Sequence, residues 1–137
     1  MTKKHLLMPN TIEFPFSDDE ALPTIPIALS HASFSVPTNA MLDTESTVNL
    51  LPYDIGLQLG AIWQEQTVRL PLAGNLARVE ARGVSVHVQV GNLEPVRLAF
   101  AWMQASQVPL ILGQTNFFRE FDACFQRSRR TIEIIRF

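Results

Sequence analysis

Apolar and polar residues alternate with a period of two over much of the chain. The clearest stretch is Val84-Ser85-Val86-His87-Val88-Gln89-Val90, with four valines on one face and Ser85, His87 and Gln89 on the other. That is the pattern of a strand with one buried and one wet face. Gly91-Asn92 supplies turn residues, and Pro95 to Met103 reads as the returning strand, so the segment predicts a hairpin. Thr24 to Leu29, Ser33 to Pro37 and Ala40 to Asp43 are three further short strand candidates. Phe121 to Phe125 and Thr131 to Ile135 flank Gln126-Arg127-Ser128-Arg129-Arg130 and predict a second hairpin.

Helical signals are few. Pro52 suits the first helical position, Asp54 lies where a carboxylate favours a helix N-terminus, and Gly60 can end the segment, predicting a short helix over Pro52 to Leu59. Thr115 to Glu120, after Gly113, is a second candidate of one to two turns, with Phe117, Phe118 and Phe121 on an apolar face. The remainder reads as strand or turn. The fold class is therefore mostly β, with one or two short helices, closing as a small barrel or sandwich. Residues 1–20 carry Pro9 and Pro15 and no sustained periodicity, which predicts an arm, mobile or laid over the surface, ahead of a domain spanning 21–137.

Composition narrows the function. The chain has 137 residues, one domain's worth of sequence and too little for a two-lobed enzyme. Eleven Lys plus Arg against 13 Asp plus Glu give a net charge of -2, which argues against nucleic acid as a partner. Charged residues make up 18% of the chain, below the roughly 25% usual in soluble domains, and that deficit points toward a self-interface. A single cysteine, Cys124, can form no intrachain disulfide, and no Cys/His cluster suggests zinc, so a reducing compartment is expected and no metal or cofactor is implied. After Lys3 and Lys4 the apolar stretch Leu6-Leu7-Met8 stops at Pro9, short of a signal-peptide core, and no run reaches the length of a membrane helix. The expected location is the cytoplasm, with no membrane partner.

Two segments carry candidate chemistry. In Ala40-Met41-Leu42-Asp43-Thr44-Glu45-Ser46-Thr47-Val48-Asn49-Leu50-Leu51-Pro52 an apolar strand enters an acidic and hydroxyl-rich turn and leaves as another apolar strand. In Val108-Pro109-Leu110-Ile111-Leu112-Gly113 an apolar strand is stopped by glycine ahead of the helix candidate. Together they resemble the retropepsin-like aspartic proteases, in which a strand delivers an Asp-Thr-Gly turn and a later apolar strand ending in glycine packs beside it. The order of the other segments extends the resemblance from about Ala21 to Phe137. Arg69 to Arg82 falls where that family keeps a flap hairpin, and Thr131 to Ile135 where terminal strands of its viral members interdigitate.

The resemblance implies a closed β-barrel of the retropepsin-like type, acting as a homodimer on a peptide or protein substrate, with one Asp43 from each subunit. Two like charges about 3 Å apart cannot both ionise, so such a pair holds one proton, and one member activates water while the other polarises the scissile carbonyl. Ser46, Ile111, Leu112 and Gly113 would support the site, and Thr44 would hydrogen-bond across the dyad axis. Leu72, Ala73, Gly74, Asn75 and Leu76 would form the flap tip, with Gly74 as its flexible point. Glu45 departs from the pattern, standing where the family has glycine. An alternative function is therefore a non-catalytic peptide- or protein-binding module on the same fold. Gln114 and Thr47 stand where the viral members carry an Arg and Asp pair, so both charges are replaced together.

Other reactive side chains read as structural. Asp54 serves a helix start, His87 lies on the wet face of an alternating strand, and His31 and His5 belong to a turn and the arm. Cys124 reads as a small strand residue, Trp63 and Trp102 as core or interface, and Arg127, Arg129 and Arg130 as a solvated hairpin tip.

Overall fold

The computed structural model describes residues 10–16 and 22–137. Lys3, Lys4 and His5, and the expected domain start at Ala21, lie outside the described residues. Strands β2 (Thr24–His31), β3 (Phe34–Leu42), β4 (Leu50–Leu51), β5 (Ala81–Gln89), β6 (Val96–Met103) and β7 (Ile111–Leu112) close into a barrel in the order β2-β3-β7-β4-β6-β5. A separate sheet has the order β1-β9-β8, from β1 (Thr11–Pro15), β9 (Thr131–Arg136) and β8 (Phe121–Gln126). The fold is mostly β with few short helices, as the periodicity predicts.

The alternating hairpin forms as expected: β5 and β6 pair antiparallel from Ala81 opposite Met103 to Val88 opposite Val96. Val84, Val86 and Val88 point inward against Ile25, Ile27 and Leu29 of β2 and Leu98, Phe100 and Trp102 of β6. Full burial of side chains of this size contributes about 1.5–3 kcal/mol each, far more than a strand's backbone preference, so the valine face sets the register. Phe117 and Phe121 stack with ring centroids 4.6 Å apart and join Ile132 and Ile134 to the barrel interior, giving both sheets one core.

Several elements differ from expectation. The predicted strands at Ser33–Pro37 and Ala40–Asp43 are one strand, β3, paired with β2 from His31 opposite Phe34 to Thr24 opposite Met41. Pro37 is tolerated because β3 meets β7 only at Met41 and Leu42, so its earlier part has no second ladder to lose. Within the first 20 residues, Thr11–Pro15 adds to β9, with Ile12 and Phe14 packed on the core and Glu13 paired to Arg129 at 2.7 Å. The turn glycine Gly91 (φ +56) makes room for this strand, because a Cβ there would fall 2.0 Å from Ile12. Helix α1 covers Tyr53–Gln58 with Pro52 as its N-cap rather than its first residue, and Gly60 at φ +74 follows its C-terminus. Thr115–Glu120 holds a single 3-10 turn, Phe117–Arg119.

The segment 69–82 pairs antiparallel at its base but forms no strand ladder above it. Arg69 and Arg82 make one isolated bridge, and between them the chain forms a loop with a 3-10 turn at Gly74–Leu76. Pro71 cannot donate to a ladder, and Leu72-Ala73-Gly74-Asn75 offers no β-branched side chain to favour one. Strand β9 also differs from expectation as a partner for interdigitation: β1 and β8 occupy both its sides, and the sheet's outer strands are β1 and β8.

Candidate active site

The site is built where β7 is inserted between β3 and β4. It runs parallel to β3, with Met41 opposite Ile111 and Leu42 opposite Leu112, and antiparallel to β4 at Leu50 and Ile111. The loop joining β3 to β4, residues 43–49, must therefore cross the end of β7. Its backbone is tied down on both flanks: the Asp43 N–H donates to Leu112 O at 3.1 Å, while Gln114 and Thr115 N–H donate to Ser46 and Thr47 O, each at 2.8 Å. The Thr115 hydroxyl also bonds Thr47 O. Gly113 sits directly beneath the crossing, where a Cβ would fall 2.4 Å from Val48 O and 2.8 Å from Ser46 O. A glycine is required there by close approach of two backbones.

Asn49 completes the crossing. It is fully buried, and its Oδ1 accepts the Gly113 N–H at 2.7 Å while its Nδ2 donates to Ala99 O at 3.1 Å. Its own backbone N–H donates to Asn116 Oδ1 at 3.0 Å, and its carbonyl accepts the Ala101 N–H at 2.8 Å. A buried amide whose oxygen and nitrogen both find partners holds three strands to one geometry.

Asp43 opens the loop. Its Oδ1 accepts the Glu45 N–H at 3.0 Å, and its carbonyl accepts the Ser46 N–H at 3.2 Å, so the carboxylate folds back over its own turn. The Ser46 hydroxyl donates to Val48 O at 2.8 Å. Among the described residues, the non-glycine positions with positive φ are Asn10, Ala32 and Arg130. Glu45 is not one of them, so the backbone at that position does not demand glycine.

Asp43, Glu45, Ser46, Thr47, Val48, Leu50 and Ile111 form one wall of a cleft of about 940 Å³, and residues 70–76 form the other. Leu72, Ala73, Gly74, Asn75 and Leu76 thus face the Asp43 turn across open space. Gly74 has φ +65 and nothing within 4 Å of where a Cβ would stand, leaving the loop tip free of neighbours.

No protein-family model and no curated protein sequence matches the chain. Among solved structures, it is similar to a retropepsin-like aspartic protease from Rickettsia conorii, with a TM-score of 0.64 over 90% of this chain and 89% of that one, at 14% identity. The fold is the retropepsin-like one.

On this retropepsin-like barrel the remaining candidates fall in different surroundings. Leu112 is buried under the turn, and Gly113 lies behind it rather than in the cleft. Thr44 and Gln114 line a second groove, of about 540 Å³, together with Phe121, Asp122, Ala123 and Phe125 of β8. His87 is exposed on β5, and His31 Nδ1 lies 3.0 Å from Leu59 O. Cys124 is exposed on β8, and Trp63 and Trp102 are buried, with the Arg82 guanidinium 4.5 Å from the Trp63 ring centroid. Among the described residues no helix is long and apolar enough to cross a membrane, and no group of three His, Cys, Asp or Glu could hold a metal. Sequence reasoning missed Asn49 and Asn116; the signal for Asn49 was a lone amide inside the apolar run Val48 to Leu51.

Proposed function

We propose that the protein is an aspartic endopeptidase that works as a homodimer, with Asp43 of each subunit forming the catalytic pair. The observation that carries this reading is the Asp43 turn, braced by β7 and Asn49 at the wall of a cleft roofed by residues 70–76, on a retropepsin-like barrel. One chain holds one such turn, so a two-fold axis must supply the second carboxylate. The pair shares one proton. The ionised member takes a proton from water as its oxygen attacks the peptide carbonyl carbon, and the other gives its proton to the carbonyl oxygen. Collapse of the tetrahedral intermediate breaks the C–N bond, with a proton passing to the leaving nitrogen.

The groove beside β8 supports this arrangement, because it runs from Phe125 to Thr44 next to the Asp43 turn and borders a strand edge that no described strand pairs. A second copy seated along that edge brings the two turns together. The loop at 70–76 would then close over an extended peptide, with Gly74 as its pivot, and Thr44 would bond across the axis. The lone cysteine suits a reducing compartment such as the cytoplasm.

Cleavage of an unstructured polypeptide library tests the reading. Wild-type protein should produce defined fragments between acidic and neutral pH, and Asp43→Ala should not; equal cleavage by both removes Asp43 from the chemistry. A second reading rests on Glu45, whose side chain lines the cleft: the fold binds peptides or a protein partner without turnover. A wild type with no activity that gains proteolysis on Glu45→Gly supports this second reading, whereas loss or no change supports an active site adapted to the glutamate.

A further inference from the structure

The cleft wall has an unbalanced charge. Asp43 and Glu45 are its two ionisable lining residues, and the other lining positions, from Ser46 through Leu50, Leu70 to Leu76 and Ile111, are apolar or neutral. The nearest bases along the roof segment, Arg69 and Arg78, flank it without lining the cleft. Arg82 is already engaged by Glu80 at 3.0 Å and by the Trp63 ring. Among the described residues the Glu45 carboxylate has no ion-pair or hydrogen-bond partner, since the contact it makes with Asp43 is through its backbone N–H. Asp43 Oδ1 is engaged by its own turn, whereas Glu45 keeps both carboxylate oxygens without a partner among the described residues.

We infer that Glu45 selects peptides carrying a lysine or arginine side chain beside the backbone segment held at Asp43. The inference rests on the cleft being the peptide site, whether or not the peptide is cut. A long basic side chain has an apolar stem that suits Val48, Leu50, Leu72 and Ile111, and a cationic head that pairs with an acceptor at the cleft rim. An acidic side chain at the same place meets two carboxylates and no cation. Carboxylate and cation a few ångströms apart attract modestly while exposed, and more strongly once a loop excludes water between them. In a two-fold dimer each subunit contributes one Glu45, so the preference applies on both sides of the central bond.

The test uses three matched peptides with a reduced, non-cleavable central bond, flanked by Lys, Leu or Glu, titrated calorimetrically into the full chain. The Lys peptide should bind about fivefold or more tighter than the Leu peptide and more tightly still than the Glu peptide, with the gap shrinking as salt rises. Glu45→Gln should erase the Lys preference and Glu45→Lys should invert it. Glu45 is exposed, so both variants should fold, which circular dichroism checks. Equal binding of the three peptides, or a preference that survives Glu45→Gln, overturns the inference. Binding of none of them overturns it together with the cleft as a peptide site. A Glu45-dependent Lys preference in a protein that cuts nothing upholds it while removing the endopeptidase reading.

Discussion

The Asn49 side-chain oxygen accepts the Gly113 N–H at 2.7 Å across 64 residues of chain, and the same side chain donates to Ala99 O at 3.1 Å. One buried amide thus joins the strand after the Asp43 turn to the strand beneath it and to β6. Replacing it with an apolar residue of similar volume strands a buried N–H and a buried carbonyl, each at about 1–3 kcal/mol. Asn49→Leu should lower the unfolding free energy by about 2–4 kcal/mol in urea titration. A loss below about 1 kcal/mol would mean that water satisfies both groups.

Gly113→Ala should be at least as damaging, for a different reason. The added methyl collides with backbone carbonyls of Val48 and Ser46, which cannot rotate away as a side chain can. A cost of about 3 kcal/mol or more is expected, read as a fall in Tm. Separation of the crossing should also weaken any peptide cleavage more than it weakens the C-terminal hairpin's exchange protection.

These two positions mark where the sequence was and was not legible. The β5–β6 hairpin could be read from four alternating valines because one buried face imposes a period of two. Strands β4 and β7 are two residues long and have no period; long-range pairing decides them, and so Gly113 was readable as a stop but not as the floor of a crossing. Asn49 lay hidden because a polar residue in an apolar run announces burial without naming its partners. β1 carries no signal of its own, because Thr11–Pro15 becomes a strand only when β9 offers an edge. The Asp43 turn is legible through its residue types, whereas the pairing expected over 69–82 is confined to the base of that segment, since Pro71 has no N–H to extend it.

Asp43→Asn should separate chemistry from folding. Among the described residues its carboxylate serves the Glu45 N–H, and an amide oxygen can accept that bond equally. Tm should therefore move little, while peptide hydrolysis should fall by at least about 10²–10⁴-fold, as expected when a general acid–base group is removed. Retained hydrolysis in a folded variant would place the chemistry elsewhere.

The proposed dimer can be tested through Cys124, the single cysteine of the chain, on β8, whose outer edge no described strand pairs. A short bismaleimide should yield a covalent dimer through this residue alone, and Phe125→Asp, which sets a charge on the same edge, should abolish it. A dimer in sedimentation that resists this cross-link would move the interface away from β8.

The insertion of β7 between β3 and β4 also has a consequence in time. The turn that presents Asp43 near the start of the chain has no floor until residues 110–116 have been synthesised, since its backbone partners are Leu112, Gly113, Gln114 and Thr115. Pairings of such separation form late and slowly. A chain in which β7 is still unmade therefore lacks the groups that brace the Asp43 turn from beneath, so the turn takes its final form only after most of the barrel has been synthesised.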